Sequence, residues 1–129
     1  MSKSLSRIYI HALWSTKRRM PLITSEIEHE LHNHLRKELL KLRCEPYAIN
    51  GMSDHVHCLF QLNPKLKIID VMKQIKGSSA HYLNHHYENE HVIWQRGFSV
   101  FSVSKGVLPI VKRYIENQKS HQYSSGELS

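Results

Sequence analysis

Residues 55 to 62 alternate between two kinds of side chain, and this alternation constrains the fold more than any other stretch. The apolar positions are Val56, Cys58, Phe60 and Leu62. A period of two predicts a β-strand whose apolar face packs into a core. His55 and His57 then share the opposite face, roughly 6–7 Å apart along the strand. Two imidazoles at that spacing can bind one metal ion or one phosphate. In a chain with 11 histidines, however, such a pair more often consists of half-exposed strand side chains that bind nothing. A functional interpretation therefore needs a third group.

The segments around this strand predict the order β-α-β-β-α-β followed by one further helix. We predict strands over residues 5–16, 47–52, 55–62 and 92–103, the last of them interrupted near residues 96–97, and helices over residues 25–43, 66–86 and 108–121. Ser25 and Glu28 have the spacing of a capping box at the start of the first helix. The order is that of the ferredoxin-like fold, an α+β fold in which two helices cover one face of an antiparallel sheet. With 129 residues, we expect one domain, with a core over 5–103 and a C-terminal helix over 108–121.

Charge and composition narrow the class of partner. The net charge of +7 and the pI near 9.5 favour an anionic partner, of which nucleic acid is the commonest. No apolar run approaches the ~20 residues of a membrane span, and the N-terminus lacks the apolar stretch of a signal peptide. Cys44 and Cys58 have no metal-type spacing. We therefore expect a cytoplasmic protein in a reducing compartment, with no membrane partner.

The last predicted helix carries a candidate third group. Tyr114 and Gln118 are four residues apart and share one helical face. Tyrosine can act as a covalent nucleophile, and a glutamine carbonyl oxygen can bind a metal. A tyrosine packed on the sheet beside a solvated glutamine has the same spacing, and spacing alone favours that structural role. His81 and His85 also have a zinc-site spacing, but no carboxylate or cysteine accompanies them.

Taken together, these motifs resemble the single-tyrosine HUH transposases of the insertion-sequence-200/605 type. The resemblance is carried by residues 14–19, 55–57, 71–77, 94–98 and 101–104 and by the pair Tyr114 and Gln118. It covers nearly the whole chain and keeps the motifs in order. The chain departs from many members at Ser53, where they carry proline, and at Cys58, where they carry an aliphatic residue. Neither position supplies chemistry.

The resemblance implies a specific activity. It implies a transposase that recognises hairpins at transposon ends in single-stranded DNA, and cleaves and rejoins the DNA through a 5′-phosphotyrosine intermediate. His55 and His57 correspond to the HUH pair, Tyr114 to the nucleophile and Gln118 to the third metal ligand. The implied cofactor is a divalent metal ion, Mg²⁺ or Mn²⁺. The implied assembly is a homodimer, in which the tyrosine helix can complete the partner's active site.

Two alternatives remain open at this point. One is a ferredoxin-like protein that binds single-stranded nucleic acid without catalysis. Such sheets usually stack bases on strand aromatics, whereas this one offers histidines, which favours an enzyme. The other is a domesticated relative that acts on repeated chromosomal palindromes.

Overall fold

The computed structural model describes residues 7–87 and 92–119. Within these ranges the chain forms four strands and three α-helices. They are β1 (Ile8–Ser15), α1 (Ser25–Lys41), β2 (Glu45–Met52), β3 (His55–Leu62), α2 (Ile68–His86), β4 (Ser99–Val103) and α3 (Leu108–Glu116), with short 3-10 helices over Lys17–Arg19 and Lys105–Val107. The predicted order of elements is confirmed. In the described ranges no helix is both long and apolar enough to cross a membrane.

The four strands form one antiparallel sheet in the order β2-β3-β1-β4. The two inner strands, β3 and β1, are therefore neighbours although a helix and another strand separate them in sequence. Their register pairs Leu13 with His57 and Ser15 with His55. This strand order is that of the ferredoxin-like fold, and the predicted α+β fold class is confirmed.

One face of the sheet is covered by α1 and α2. The apolar side of β3 packs there against residues spaced four apart on α1. Buried members of this core include Val56, Cys58, Phe60, Ile27, Leu31, Leu35, Met72 and Ile75. Burying a side chain of this size contributes about 1.5–3 kcal/mol. This layer anchors β3 and leaves its histidine face turned to the other side.

The opposite face of the sheet is covered by α3. Ile115 is fully buried in a second, smaller core with Tyr9, Ala48, Leu59 and Val103. Because Ile115 points into the sheet, Tyr114 and Gln118 are carried over the same face as the two histidines. The C-terminal helix thus lies on the side of the sheet that α1 and α2 leave open. Residues 120 and 121, the end of the helix predicted over 108–121, lie outside the described residues.

Two local predictions are wrong. The predicted capping box fails because the N-cap residue is Thr24, Ser25 is already helical, and no side chain caps the helix start. Glu28 instead forms an ion pair with Lys119, a contact between residues far apart in sequence. The fourth strand begins at Ser99, so the part predicted before the interruption near residues 96–97 does not form a strand.

The segment before β4 leaves the sheet because α2 holds it. Trp94 forms only a single bridge to Thr16, and its indole nitrogen donates to the carbonyl oxygen of Lys76, 3.0 Å away. Gly97 has a φ of +88°, a conformation that glycine adopts without strain. The turn at Gly97 then lets the chain enter β4.

Candidate active site

The two histidines of β3 lie side by side under α3. Their ring centroids are 5.1 Å apart and the rings are nearly perpendicular. Both are buried, with 8% of His55 and 6% of His57 exposed. The alternation of β3 explains their shared face, and α3 explains why polar residues there are shielded from bulk water.

Each histidine has its Nδ1 atom engaged by a neighbour. His55 Nδ1 lies 2.7 Å from Asp54 Oδ1, and His57 Nδ1 lies 2.8 Å from His11 Nε2. Burial alone would raise the pKa of the Asp54 carboxyl, but hydrogen bonds from His55 and Arg19 hold that pKa below its usual value. An ionised carboxylate only accepts hydrogen bonds, so His55 Nδ1 donates. The contacts direct both Nε2 atoms away from these partners.

The electrostatic setting of His57 keeps its ring neutral. Burial lowers the pKa of His57 to about 3, and His11 and His55 add to the shift, while a hydrogen bond that Gln118 accepts from the ring opposes it. A neutral imidazole has one nitrogen that carries a lone pair. When Nδ1 donates to His11, that lone pair is on Nε2, which is the form that binds metal ions.

The helix α3 brings the two remaining predicted residues to this pair. The ring centroid of Tyr114 is 6.0 Å from that of His57, and the rings are perpendicular. Tyr114 is 44% exposed, whereas Gln118 is only 4% exposed. Gln118 Oε1 lies 3.3 Å from His55 Nε2. The four residues predicted for the nucleophile and the metal ligands therefore meet within one chain.

The contact between His55 and Gln118 has an unusual chemical character. Nδ1 is engaged by Asp54, so Nε2 is the nitrogen that faces Gln118 Oε1; it donates to that oxygen when it carries a proton and presents a lone pair when it does not. Gln118 Nε2 is directed instead toward the carbonyl oxygen of Tyr114 at 3.4 Å. In the form with the lone pair, the two atoms can both bind one cation. Together with His57, they form a donor set of two imidazole nitrogens and one amide oxygen.

These side chains line a cleft of about 520 Å³. Arg19 and Arg96 lie on its wall, with Phe98 beside them. Arg19 is held in place by an ion pair with Asp54, with Nε and Oδ2 3.0 Å apart. The cleft thus combines two guanidinium groups with the histidines and Tyr114, a combination suited to an anionic substrate such as a phosphodiester.

Sequence reasoning missed three residues that organise the site. His11 supports His57, Asp54 supports His55, and Asn50 donates from Nδ2 to the carbonyl oxygens of Ile115 and Glu116, both at 3.0 Å. The pattern of β1 places His11 on the correct face, but only the pairing of β1 with β3 shows its contact. Asp54 precedes His55 directly and is the one residue of the three with a local signal.

The alternative zinc pair remains isolated. The rings of His81 and His85 stack with centroids 5.1 Å apart on the exposed side of α2. Within residues 7–87 and 92–119, no group of three His, Cys, Asp or Glu side chains is arranged to hold a metal. A metal at the β3 site would accordingly need the Gln118 oxygen as its third protein ligand.

Comparison with known proteins identifies the family. The model of the family described as IS200-like transposases matches residues 4–118. The chain belongs to the IS200-like transposase family. The resemblance stated from the sequence motifs is thereby confirmed.

Individual relatives agree with this assignment. This IS200-like transposase is 28% identical over 127 residues to the ISDra2 transposase TnpA of Deinococcus radiodurans, covering 92% of this chain and 91% of the relative. The crystal structure of a candidate transposase from Deinococcus radiodurans R1 has a TM-score of 0.73 at 28% identity, covering 92% of this chain and 98% of that one.

A REP-associated tyrosine transposase bound to a REP hairpin has a TM-score of 0.62 at 18% identity, covering 91% of this chain and 72% of that chain. This similarity reflects the common fold.

Proposed function

We propose that this IS200-like transposase cleaves and rejoins single-stranded DNA beside hairpins, with Tyr114 as the nucleophile. The observation that carries the proposal is the meeting of Tyr114 with His55, His57 and Gln118 in one cleft. A relative of the same fold is bound to a REP hairpin, which supports a hairpin as the DNA feature recognised. The net charge of +7 suits such a partner.

The donor set fits a divalent metal ion. His55 and His57 would supply Nε2 atoms and Gln118 would supply Oε1, and the Nε2 atom of His55 lies 3.3 Å from that oxygen. Imidazole ligands suit Mn²⁺ better than Mg²⁺, which prefers oxygen ligands. When bound, such an ion would supply positive charge that polarises the scissile phosphate.

The covalent step belongs to Tyr114. Its hydroxyl loses a proton to water, and the phenolic oxygen attacks the phosphorus of the scissile phosphodiester. The bond from phosphorus to the 3′-oxygen breaks, and that oxygen takes up a proton. The products are a 5′-phosphotyrosine and a free 3′-hydroxyl. A 3′-hydroxyl from another DNA end can reverse the reaction, so no ATP is needed. Arg19 and Arg96, on the wall of the same cleft, would hold the phosphate.

We further propose that the chain is one domain and works as a homodimer. Tyr114 lies beside His57 of its own chain, so one subunit contains all four proposed residues. An exchange of α3 between subunits would build the same site from two chains. Mixing Tyr114→Phe subunits with His57→Ala subunits separates the two cases, because only shared sites regain cleavage.

The test of the nucleophile is the trapping of a covalent adduct. Labelled single-stranded DNA from the flanks of the gene is incubated with the protein and Mn²⁺, and the products are separated under denaturing conditions. Tyr114→Phe should form no adduct and still bind the DNA, because only a hydroxyl is removed. Tyr82→Phe is the matched control, since that hydroxyl donates to Glu30 in the helical layer.

Four results would count against the proposal. Adduct formation by Tyr114→Phe would refute the nucleophile. Binding without any adduct from the unaltered protein would favour the non-catalytic alternative. Cleavage that persists in a chelator would argue against the metal. Repeated chromosomal palindromes as the preferred substrate, without palindromic ends around the gene, would favour the domesticated alternative.

A further inference from the structure

A second cleft lies behind the wall of the first. The segment between α2 and β4 passes between the active-site cleft and another cleft of about 500 Å³ on the surface of α2. Gln95, Arg96, Gly97 and Phe98 line both clefts. The two spaces are therefore neighbours that share one thin partition, and a strand of DNA in the first can reach the second.

The chemistry of the second cleft combines an apolar lining with a positive rim. Its apolar side chains are Ile69, Ala80, Trp94 and Phe98, and its cationic side chains are Lys73, Lys76 and Arg96. No acidic residue is among the described residues that line it. Ile69 is 48% exposed, so apolar surface is accessible there.

Hydrogen bonds hold the partition in place. Trp94 Nε1 donates to the carbonyl oxygen of Lys76 at 3.0 Å and lies 3.2 Å from Ser79 Oγ. Lys76 Nζ donates in turn to the carbonyl oxygens of Gln95 at 3.0 Å and Gly97 at 2.6 Å. Since these contacts join the partition to α2, the cleft exists before any ligand binds. Binding therefore carries no entropy cost for ordering this segment.

We propose that this second cleft binds one unpaired nucleobase of the DNA strand whose backbone lies in the active-site cleft. The inference rests on the proposed function and names a subsite for it. A base has apolar faces that aromatic rings such as Phe98 can stack on, and Lys73 and Arg96 in the same lining would attract the phosphates on either side of that nucleotide. A base inside a duplex cannot enter such a pocket without leaving the stack. The cleft therefore selects single-stranded DNA next to the cleaved bond.

The experiment blocks the cleft without touching the active site. Ala80→Leu places a larger side chain in the cleft, and Ala80 does not line the active-site cleft. His81→Leu is the matched control, because it adds the same side chain one position along α2, outside both clefts. The probe is a short thymidine oligonucleotide with one 5-iododeoxyuridine. Affinity is measured by fluorescence anisotropy, and photocrosslinks are located by mass spectrometry.

The expected result is a crosslink at Trp94 or Phe98 and binding by Ala80→Leu that is about 5- to 150-fold weaker, the equivalent of one lost base stack. His81→Leu should bind as the unaltered protein does. Crosslinks confined to other segments, with unchanged affinity in Ala80→Leu, would overturn the inference.

A change in oligomeric state in Ala80→Leu, with no change in DNA affinity, would identify a second copy of the chain as the occupant and would also overturn it. The Tyr114 adduct is measured on the unaltered protein in parallel. An adduct without the crosslink defeats only this inference, whereas the crosslink without an adduct defeats only the proposed chemistry.

Discussion

Asn50 holds the proposed catalytic helix against the sheet, and its replacement gives a quantitative test of how the site is assembled. Its side-chain nitrogen donates to the carbonyl oxygens of Ile115 and Glu116, both at 3.0 Å, at the end of a helix where such groups lack partners. Its oxygen accepts from Lys119 at 3.3 Å. Asn50→Ala removes two donated bonds, each of about 0.5–1.5 kcal/mol. Their loss of about 1–3 kcal/mol corresponds to a roughly 5- to 150-fold shift toward undocked α3.

The assay is hydrogen exchange measured by mass spectrometry on peptides from α3, with β3 as the internal reference. Exchange of the α3 amide hydrogens should become faster in Asn50→Ala, while the amide hydrogens of β3 stay protected. Asn50→Asp is the matched variant, because a carboxylate has nearly the same shape and cannot donate. If the donated bonds hold α3, Asn50→Asp should exchange as fast as Asn50→Ala, although its contact with Lys119 becomes an ion pair. Protection equal to that of the unaltered protein in Asn50→Asp would show that Lys119 holds the helix and would refute the reasoning.

Three further predictions concern other parts of the molecule. His11→Phe should weaken Mn²⁺ binding about 10- to 100-fold in calorimetry, because it removes the group that orients the His57 ring; unchanged affinity would remove His11 from the site. Gly51→Ala should lower the free energy of unfolding, measured by chemical denaturation, by about 1–3 kcal/mol, because an added Cβ would overlap the carbonyl oxygen of His55. Gly77→Ala is the control, since a Cβ at Gly77 meets nothing within 4 Å. Burial lowers the pKa of His32 to about 4, and Glu28 opposes this shift. The unfolded state therefore binds more protons than the folded state between pH 6.5 and pH 4. As the pH is lowered through this range, the free energy of unfolding should fall by at most about 1.4 kcal/mol per pH unit. A His32→Gln variant should lose that part of the pH dependence in urea unfolding, and an unaltered pH profile would contradict the assignment.

Much of the fold was predictable because it depends on local periodicity. The alternation over residues 55–62 required a strand with distinct faces, and the structure has β3 at His55–Leu62 with its apolar face in the core. Repeated apolar positions on α1 and α2 likewise predicted helices with one buried side. The first part of the fourth predicted strand, before the interruption near residues 96–97, does not form, and Trp94 of that part is hydrogen-bonded to α2 instead.

The candidate site, like the fold, was predictable from the sequence only in part. The spacing of Tyr114 and Gln118 follows from helical geometry, and that of His55 and His57 from strand geometry, so each pair could be found in the sequence. Their meeting depends on α3 crossing β2 and β3, which the buried Ile115 and the bonds from Asn50 secure. Neither contact has a local signature.

The sequence by itself determined which residues share a face, because side-chain direction repeats with a period set by the backbone of each element. Tertiary structure alone decided which faces meet: the support of His57 by His11, the ion pair of Glu28 with Lys119, and the second cleft beside Trp94. These contacts join residues far apart in the chain, and their geometry depends on how whole elements pack. Periodicity along one segment carries no information about its distance from another.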